Sequence, residues 1–245
     1  LSEALFTQGF GTRALCAGLV QRGLARWVEE GRRFSVAHEV STVQEWPVVA
    51  HAYLMLHKPA GVECSARPSQ WPSVYSLLPA PLRNRPVKGA QNGVQAVGRL
   101  DVDTTGLLLL SDDGAFLHRL TSPRHNVPKV YQVTCKHAVT PGLLQALLGG
   151  VTLRDEPKPD ARRTAVPRTT AGLTVQALAC EQTGEHTLSL TLAEGKYHQV
   201  KRMVAAAGNR CEALHRSHIG ALALPHNLPP GGWRWLTKDD LALLH

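Results

Sequence analysis

The stretch AVGRLDVDTTGLLLLSDDG, residues 96–114, sets four carboxylates around an unbroken Leu107–Leu110 run. Asp101 and Asp103 form an Asp-x-Asp pair, a spacing that can hold a divalent cation beside a phosphate. Two carboxylates rarely complete such a site and no convincing third ligand is apparent, so no metal is expected. Asp112 and Asp113 precede Gly114 after the apolar run, where a turn and a helix start favour aspartate for structural reasons. Asp101 differs in its setting. It follows Gly98-Arg99-Leu100 and precedes Thr104-Thr105-Gly106, a Gly-flanked loop leading into a buried strand. Loops on a rigid scaffold are favoured places for chemistry. A carboxylate there beside a cation is available as nucleophile or base.

Two further segments carry candidate groups. In EGKYHQVKRM, residues 194–203, a helix beginning near His198 puts Lys201 and Arg202 in its first turns. Cations are disfavoured there by the helix dipole. They form either a solvated basic face or the answer to a buried carboxylate or an RNA phosphate. In LTSPRHNVPKVYQV, residues 120–133, Arg124, His125 and Lys129 lead up to Tyr131. Cations that hold phosphate next to a ring that stacks on a base would suit a nucleotide; a tyrosine in a strand core is the plainer alternative.

These groups need elements to position them. YLMLHKP, TGLLLLS, KVYQVTC, GLTVQALAC and HTLSLTLAEG read as strands, the last alternating Leu188, Leu190 and Leu192 with polar residues. TPGLLQALLGG reads as a helix capped by Thr140, with Pro141 first and Gly149-Gly150 as its stop. HQVKRMVAAAG is a helix ended by Gly208. GGWRWLTKDDLALLH is a strand followed by a helix, with Thr237 and Asp240 in capping-box spacing. DDGAFLHRLTSP turns into one or two helical turns. Residues 1–48 form a separate small module, read as helix, Gly turn and helix: Thr12 caps the second helix, and Leu15, Leu19 and Val20 recur at helical spacing. Residues 52–245 form the larger domain. Strands and short helices mix without strict alternation, so the expected class is α+β with a largely antiparallel sheet.

Composition narrows the partners. Lys and Arg outnumber Asp and Glu by 27 to 19, a formal net charge of +8, which favours a polyanion such as nucleic acid. The five cysteines are widely spaced and form no CxxC pair, which argues against a disulfide framework and a thiolate zinc site. Reduced thiols, no signal-peptide pattern and no run approaching a membrane span give a cytoplasmic, non-membrane protein as the expectation.

Four segments in order, LHKPAGVECS, VGRLDVDTTGLLLLSDDG, SPRHNVPKVYQV and EGKYHQVKRMVAAAGN with LHRSHIG, resemble the motifs of the RsuA-type rRNA pseudouridine synthases from about Tyr53 to the C-terminus. The resemblance implies an antiparallel catalytic sheet with flanking helices and a central cleft, and conversion of a uridine to pseudouridine without metal or small-molecule cofactor. It implies that Asp101 is the essential aspartate and Asp103 a dispensable neighbour. It makes Tyr131 the ring that stacks on the target uracil, Lys201 the cation paired with the catalytic carboxylate, and Arg99 a contact beside the target nucleotide. Arg13, Arg124, Lys129, Gln199 and Arg202 are the further candidates for RNA contact. The wording of two motifs is most similar to the small-subunit branch, so 16S rRNA or the assembling small subunit is the expected partner, bound by a monomer. A 23S rRNA target and a non-catalytic RNA-binding assembly factor are the alternatives. The N-terminal module is similar to an S4-like RNA-binding domain in GTRALCAGLVQRG, with Arg13 at its basic position. LARWVEEGRRFSV departs from that pattern, and His57 departs from the first motif, where Asn is frequent.

Overall fold

The structure is a computed structural model that describes residues 1–37, 43–87, 92–153 and 172–244. The N-terminal segment gives α1 (Ser2–Thr7), α2 (Arg13–Gln21), β1 (Ala25–Glu29), β2 (Arg33–Ala37) and β3 (Val43–Pro47), the three strands forming an antiparallel sheet. Thr12 caps α2 by accepting from the Leu15 amide. The face differs from the periodicity: Cys16 is buried and Leu15 is 49% exposed. In a helix this short, packing decides which side turns inward.

The larger part continues with β4 (Tyr53–Lys58), α3 (Ala80–Asn84), β5 (Gln95–Ala96), β6 (Thr105–Ser111), α4 (Gly114–Thr121) and β7 (Lys129–Cys135). Then come α5 (Pro141–Gly149), β8 (Val151–Leu153), β9 (Leu173–Val175), β10 (Ala179–Gly184), β11 (Thr187–Leu192) and α6 (Gln199–Ala206). The chain ends with β12 (Cys211–Ile219), β13 (Leu222–Ala223), β14 (Trp233–Trp235) and α7 (Lys238–Ala242). Among the described residues the main sheet runs β10-β11-β7-β12-β6-β4-β14, with β13 on β12 and β5 on β6. Every pairing in it is antiparallel except β12 with β6, which share only His215↔Thr105 and Arg216↔Gly106. The class is α+β, as the mixed strand and helix order implies.

β6 explains its own leucine run. Leu108 and Leu110 pack with Leu54 and Leu56 of β4 toward the N-terminal segment, while Leu107 and Leu109 pack with Met55, Phe116 and Leu244 on the other face. A strand covered on both sides needs no polar alternation. β11 alternates because only one face, Leu188, Leu190 and Leu192, enters the third cluster beneath α5 and α6. The caps read in sequence form here: Thr140 accepts from the Leu143 amide, and Thr237 and Asp240 complete a capping box. GLTVQALAC, expected as one strand, is two. β9 pairs with β8 in a separate two-stranded sheet and β10 joins the main sheet, because the chain changes sheets at Gln176–Leu178.

The N-terminal segment shares a hydrophobic cluster with the main sheet: Leu5, Phe34 and Trp46 join Leu54, Leu56 and Leu82, and Trp46 packs on Trp233 and Trp235. Arg85 fastens the same joint. It is buried, donates from Nε to Asp112 at 2.7 Å, bonds the Gln8 side chain and reaches the Val49 and Ala50 carbonyls. Asp112 is therefore the buried counter-ion of Arg85 rather than a turn residue alone, and it also accepts from the Ala52 amide. Asp113 is the N-cap of α4. No described helix is long and apolar enough to cross a membrane.

Candidate active site

The Asp101 loop crosses the sheet where β12 meets β6. Gly106 is required there: its φ is +111°, and a Cβ on it would stand 2.2 Å from the Arg216 carbonyl oxygen. Lys58, at the end of β4, holds the loop from below. It is fully buried, and its ammonium donates to the carbonyls of Pro59, Asp101, Val102 and Thr104 at 3.0, 2.9, 3.2 and 2.8 Å. Burial pushes the Lys58 pKa down, with Asp101 and Asp103 among the charges acting against that. Four carbonyls around one ammonium fix the backbone that carries Asp101.

The Asp101 carboxylate lies between the side chains of Lys201 and His198. Lys201 Nζ is 3.4 Å from Oδ2, and His198 Nε2 is 3.4 Å from Oδ1. His198 caps α6 in the left-handed conformation (φ 47°), uncommon for a non-glycine residue, and its ring stacks on Tyr197 with centroids 3.8 Å apart. Lys201 is shared with Asp103, whose Oδ1 is 2.6 Å away. Distance favours Asp103, but its side chain is 72% exposed and that of Asp101 27%. Solvent screens the shorter contact, which at such exposure is worth at most about 1 kcal/mol. Burial lowers the Lys201 pKa, but the Asp103 hydrogen bond and the two aspartate charges outweigh it and the net shift is upward. Burial would raise the Asp103 carboxyl, yet Lys201 carries it below its usual value.

These groups open onto a cleft of about 810 Å³. Arg99, Asp101, Lys129, Tyr131, Gln199 and Lys201 all line it. Tyr131 is buried in the floor on β7, opposite Arg216 of β12. Lys129 is half-buried, and burial and then the Arg216 charge lower its pKa. Gln199 faces its own loop: its side chain accepts from the Lys196 amide and donates to Glu194. Arg202 donates to the Tyr197 carbonyl at 3.4 Å and is not a lining residue. Arg124 is exposed in a short turn and does not line the cleft. Arg13 lies on α2, ion-paired with Glu3 and over the Phe6 ring.

Sequence reasoning missed His198, Lys58 and Arg216. Arg216 is buried at the cleft floor; its Nε donates to the Leu107 carbonyl at 2.8 Å, and its Nη2 has no partner among the described residues. Its inward position between buried Leu214 and Ile219 could not be read from LHRSHIG, because the register shifts between Arg216 and His218 and breaks the alternation. His57 supports the fold by donating from Nδ1 to the Leu228 carbonyl at 2.8 Å. Among the described residues no three His, Cys, Asp or Glu side chains are grouped to hold a metal ion.

Comparison with known proteins gives a consistent answer. The RNA pseudouridylate synthase family matches residues 52–206. The ribosomal small subunit pseudouridine synthase A of Vibrio parahaemolyticus is 39% identical over 189 residues, 77% of this chain and 72% of that protein. The protein of the same name from Haemophilus influenzae is 35% identical over 221 residues, 90% of this chain and 77% of that one. A crystal structure of a pseudouridylate synthase covers 100% of this chain and 99% of its own, with a TM-score of 0.66 at 30% identity. The family match spans the Asp101 loop, Tyr131 and Lys201 together, and the relatives extend it in both directions: this chain belongs to the RNA pseudouridylate synthase family.

Proposed function

We propose that this enzyme converts a uridine of 16S ribosomal RNA, of the uridine 516 type, to pseudouridine. The observation that carries the chemistry is the Asp101 carboxylate set between Lys201 and His198 in a cleft floored by Tyr131. The choice of RNA rests on the relatives named as small-subunit synthases.

The reaction breaks the N1–C1′ bond, turns the uracil and rejoins it through C5; C5 loses a proton and N1 gains one. The target atoms are inaccessible in stacked RNA, so the uridine is flipped into the cleft at a cost of a few kcal/mol. Asp101 carries the step at the sugar, as nucleophile or base. Lys201 orients it by charge pairing. Tyr131 holds the detached uracil against the floor. Arg99 and Lys129 position the strand through its phosphates. Arg13 and Arg124 lie outside the cleft, where they contact flanking rRNA, and residues 1–48 serve as an S4-like RNA-binding module. The protein acts in the cytoplasm as a monomer.

Tritium release from 16S rRNA transcribed with 5-tritiated uridine tests this. Asp101→Asn should lower the rate by at least about a hundredfold, and undiminished release would refute the assignment. Mapping carbodiimide-induced stops on rRNA from a deletion strain identifies the target. A lost stop in 23S rather than 16S rRNA would move the enzyme to the other subunit. Normal rRNA modification in that strain, with no release by the purified protein, would leave an assembly factor.

A further inference from the structure

The chain has five tryptophans. Four belong to the aromatic cluster around the N-terminal segment: Trp27 packs on Phe34, and Trp46, Trp233 and Trp235 pack on one another. Trp71 stands apart. It is 50% exposed, makes no ring contact among the described residues, and lines the cleft. An indole left half in water has a large apolar face without a partner.

Its loop is built to hold that position. The Glu63 carboxylate accepts from the backbone amides of Ser69, Gln70 and Trp71 at 3.0, 2.9 and 3.0 Å, and from the Ser69 hydroxyl at 3.0 Å. These bonds carry the Glu63 pKa down to about 2. The stem is closed by Glu63 N–H to Pro72 O, Val74 N–H to Glu63 O, and the Ser73 hydroxyl to Ser65 O, all between 2.6 and 2.8 Å. One carboxylate thus gathers the turn that ends in Trp71, so the indole is presented by a braced loop.

We propose that Trp71 is a stacking platform for the RNA base next to the flipped uridine. This rests on the pseudouridine synthase reading above. Withdrawing a base from a strand strips its neighbours of a stacking partner, and an aromatic face at the rim replaces it. The rest of the lining favours the same occupant: Arg99, Lys129 and Lys201 make the cleft attractive to a phosphodiester backbone. Tyr197, also exposed on the lining, has one face taken by His198 and offers less ring.

The test uses the full chain, a single-stranded RNA 12-mer with one central uridine, and the same 12-mer with abasic nucleotides on both sides of that uridine. Binding of the intact 12-mer should quench wild-type tryptophan fluorescence, and Trp71→Phe should bind with most of that quench gone. Trp71→Ala should bind the intact 12-mer roughly tenfold more weakly. Wild type and Trp71→Ala should bind the abasic strand alike. A thermal midpoint of Trp71→Ala equal to wild type confirms that the fold is kept. Equal affinity of wild type and Trp71→Ala for the intact strand, absence of quench, absence of binding, or an unchanged difference on the abasic strand overturns the proposal. Tritium release by the wild type on 16S rRNA, run in parallel, reports separately on the enzyme reading. Its failure with the Trp71 difference intact would remove the reaction and keep the base platform.

Discussion

Lys201 stands between two carboxylates, and the geometry separates their roles. Asp103 has the closer oxygen and the wetter environment; Asp101 is more enclosed and has His198 on its other side. Removing the Asp103 charge should therefore release Lys201 toward Asp101 rather than disable it. Asp103→Asn is expected to keep activity within about threefold of wild type, in keeping with the small worth of an exposed pair. The pH profile should move. The Lys201 pKa is raised above 10.5, so its ion pairing is complete below that pH and is lost as pH rises through the raised value. In Asp103→Asn one raising charge is gone, and the alkaline fall in rate should begin at lower pH than in wild type. Initial rates measured from pH 7 to 11 decide this. An identical alkaline limb would show that Lys201 does not govern it.

At the scale of elements, the Asp101 loop depends on the end of β4. Lys58→Met leaves the carbonyls that Lys58 now satisfies without a donor, which should cost roughly 3 kcal/mol in a urea melt. The loop would also loosen, and a displacement of Asp101 by about 1 Å can lower turnover by up to a hundredfold. Lys58→Arg should not restore it, because a planar fork does not fit a cage drawn around one nitrogen. Full activity in Lys58→Met would refute the clamp. None of this was visible in LHKPAGVECS, where Lys58 reads as one more cation. What could be read was local: the leucine alternation of β11, the Thr140 and Thr237 caps, the Gly208 stop and the Gly-flanked setting of Asp101. What could not be read depends on partners distant in the chain. CEALHRSHI lacks a clean alternation because β12 shifts register between Arg216 and His218 and one inward position is an arginine bonded to the Leu107 carbonyl. The break within GLTVQALAC follows from which sheet each half joins. His198 reaches Asp101 from a left-handed backbone, and the roles of Tyr131 and Lys201 came from the resemblance rather than from spacing.

For the whole molecule, the joint between residues 1–48 and the main sheet matters more than the sequence boundary suggests. The two parts share one apolar cluster and a buried Arg85–Asp112 pair. Arg85→Met strands Asp112 without its counter-ion, which should cost about 3–5 kcal/mol. Unfolding should stay a single cooperative transition by both circular dichroism and tryptophan emission. A separate early transition in emission would mean that the N-terminal segment unfolds on its own.

The narrow meeting of β12 with β6 has a mechanical consequence. Two residue pairs join the strands there, against six between β4 and β6. The sheet is thus two wider leaves meeting along a short line. One leaf carries Lys58 and the start of the strand that follows Asp101, and the other carries Tyr131 and Arg216. Across the line the Arg216 side chain bonds the Leu107 carbonyl as a lateral stitch, and Gly106 lets the backbones touch. Any splay between the leaves would change the gap between the Asp101 carboxylate and the Tyr131 ring more than it changes either leaf. The spacing of Asp101 over Tyr131 thus depends on a junction two residue pairs long, and a methyl group added at Gly106 would wedge that junction open.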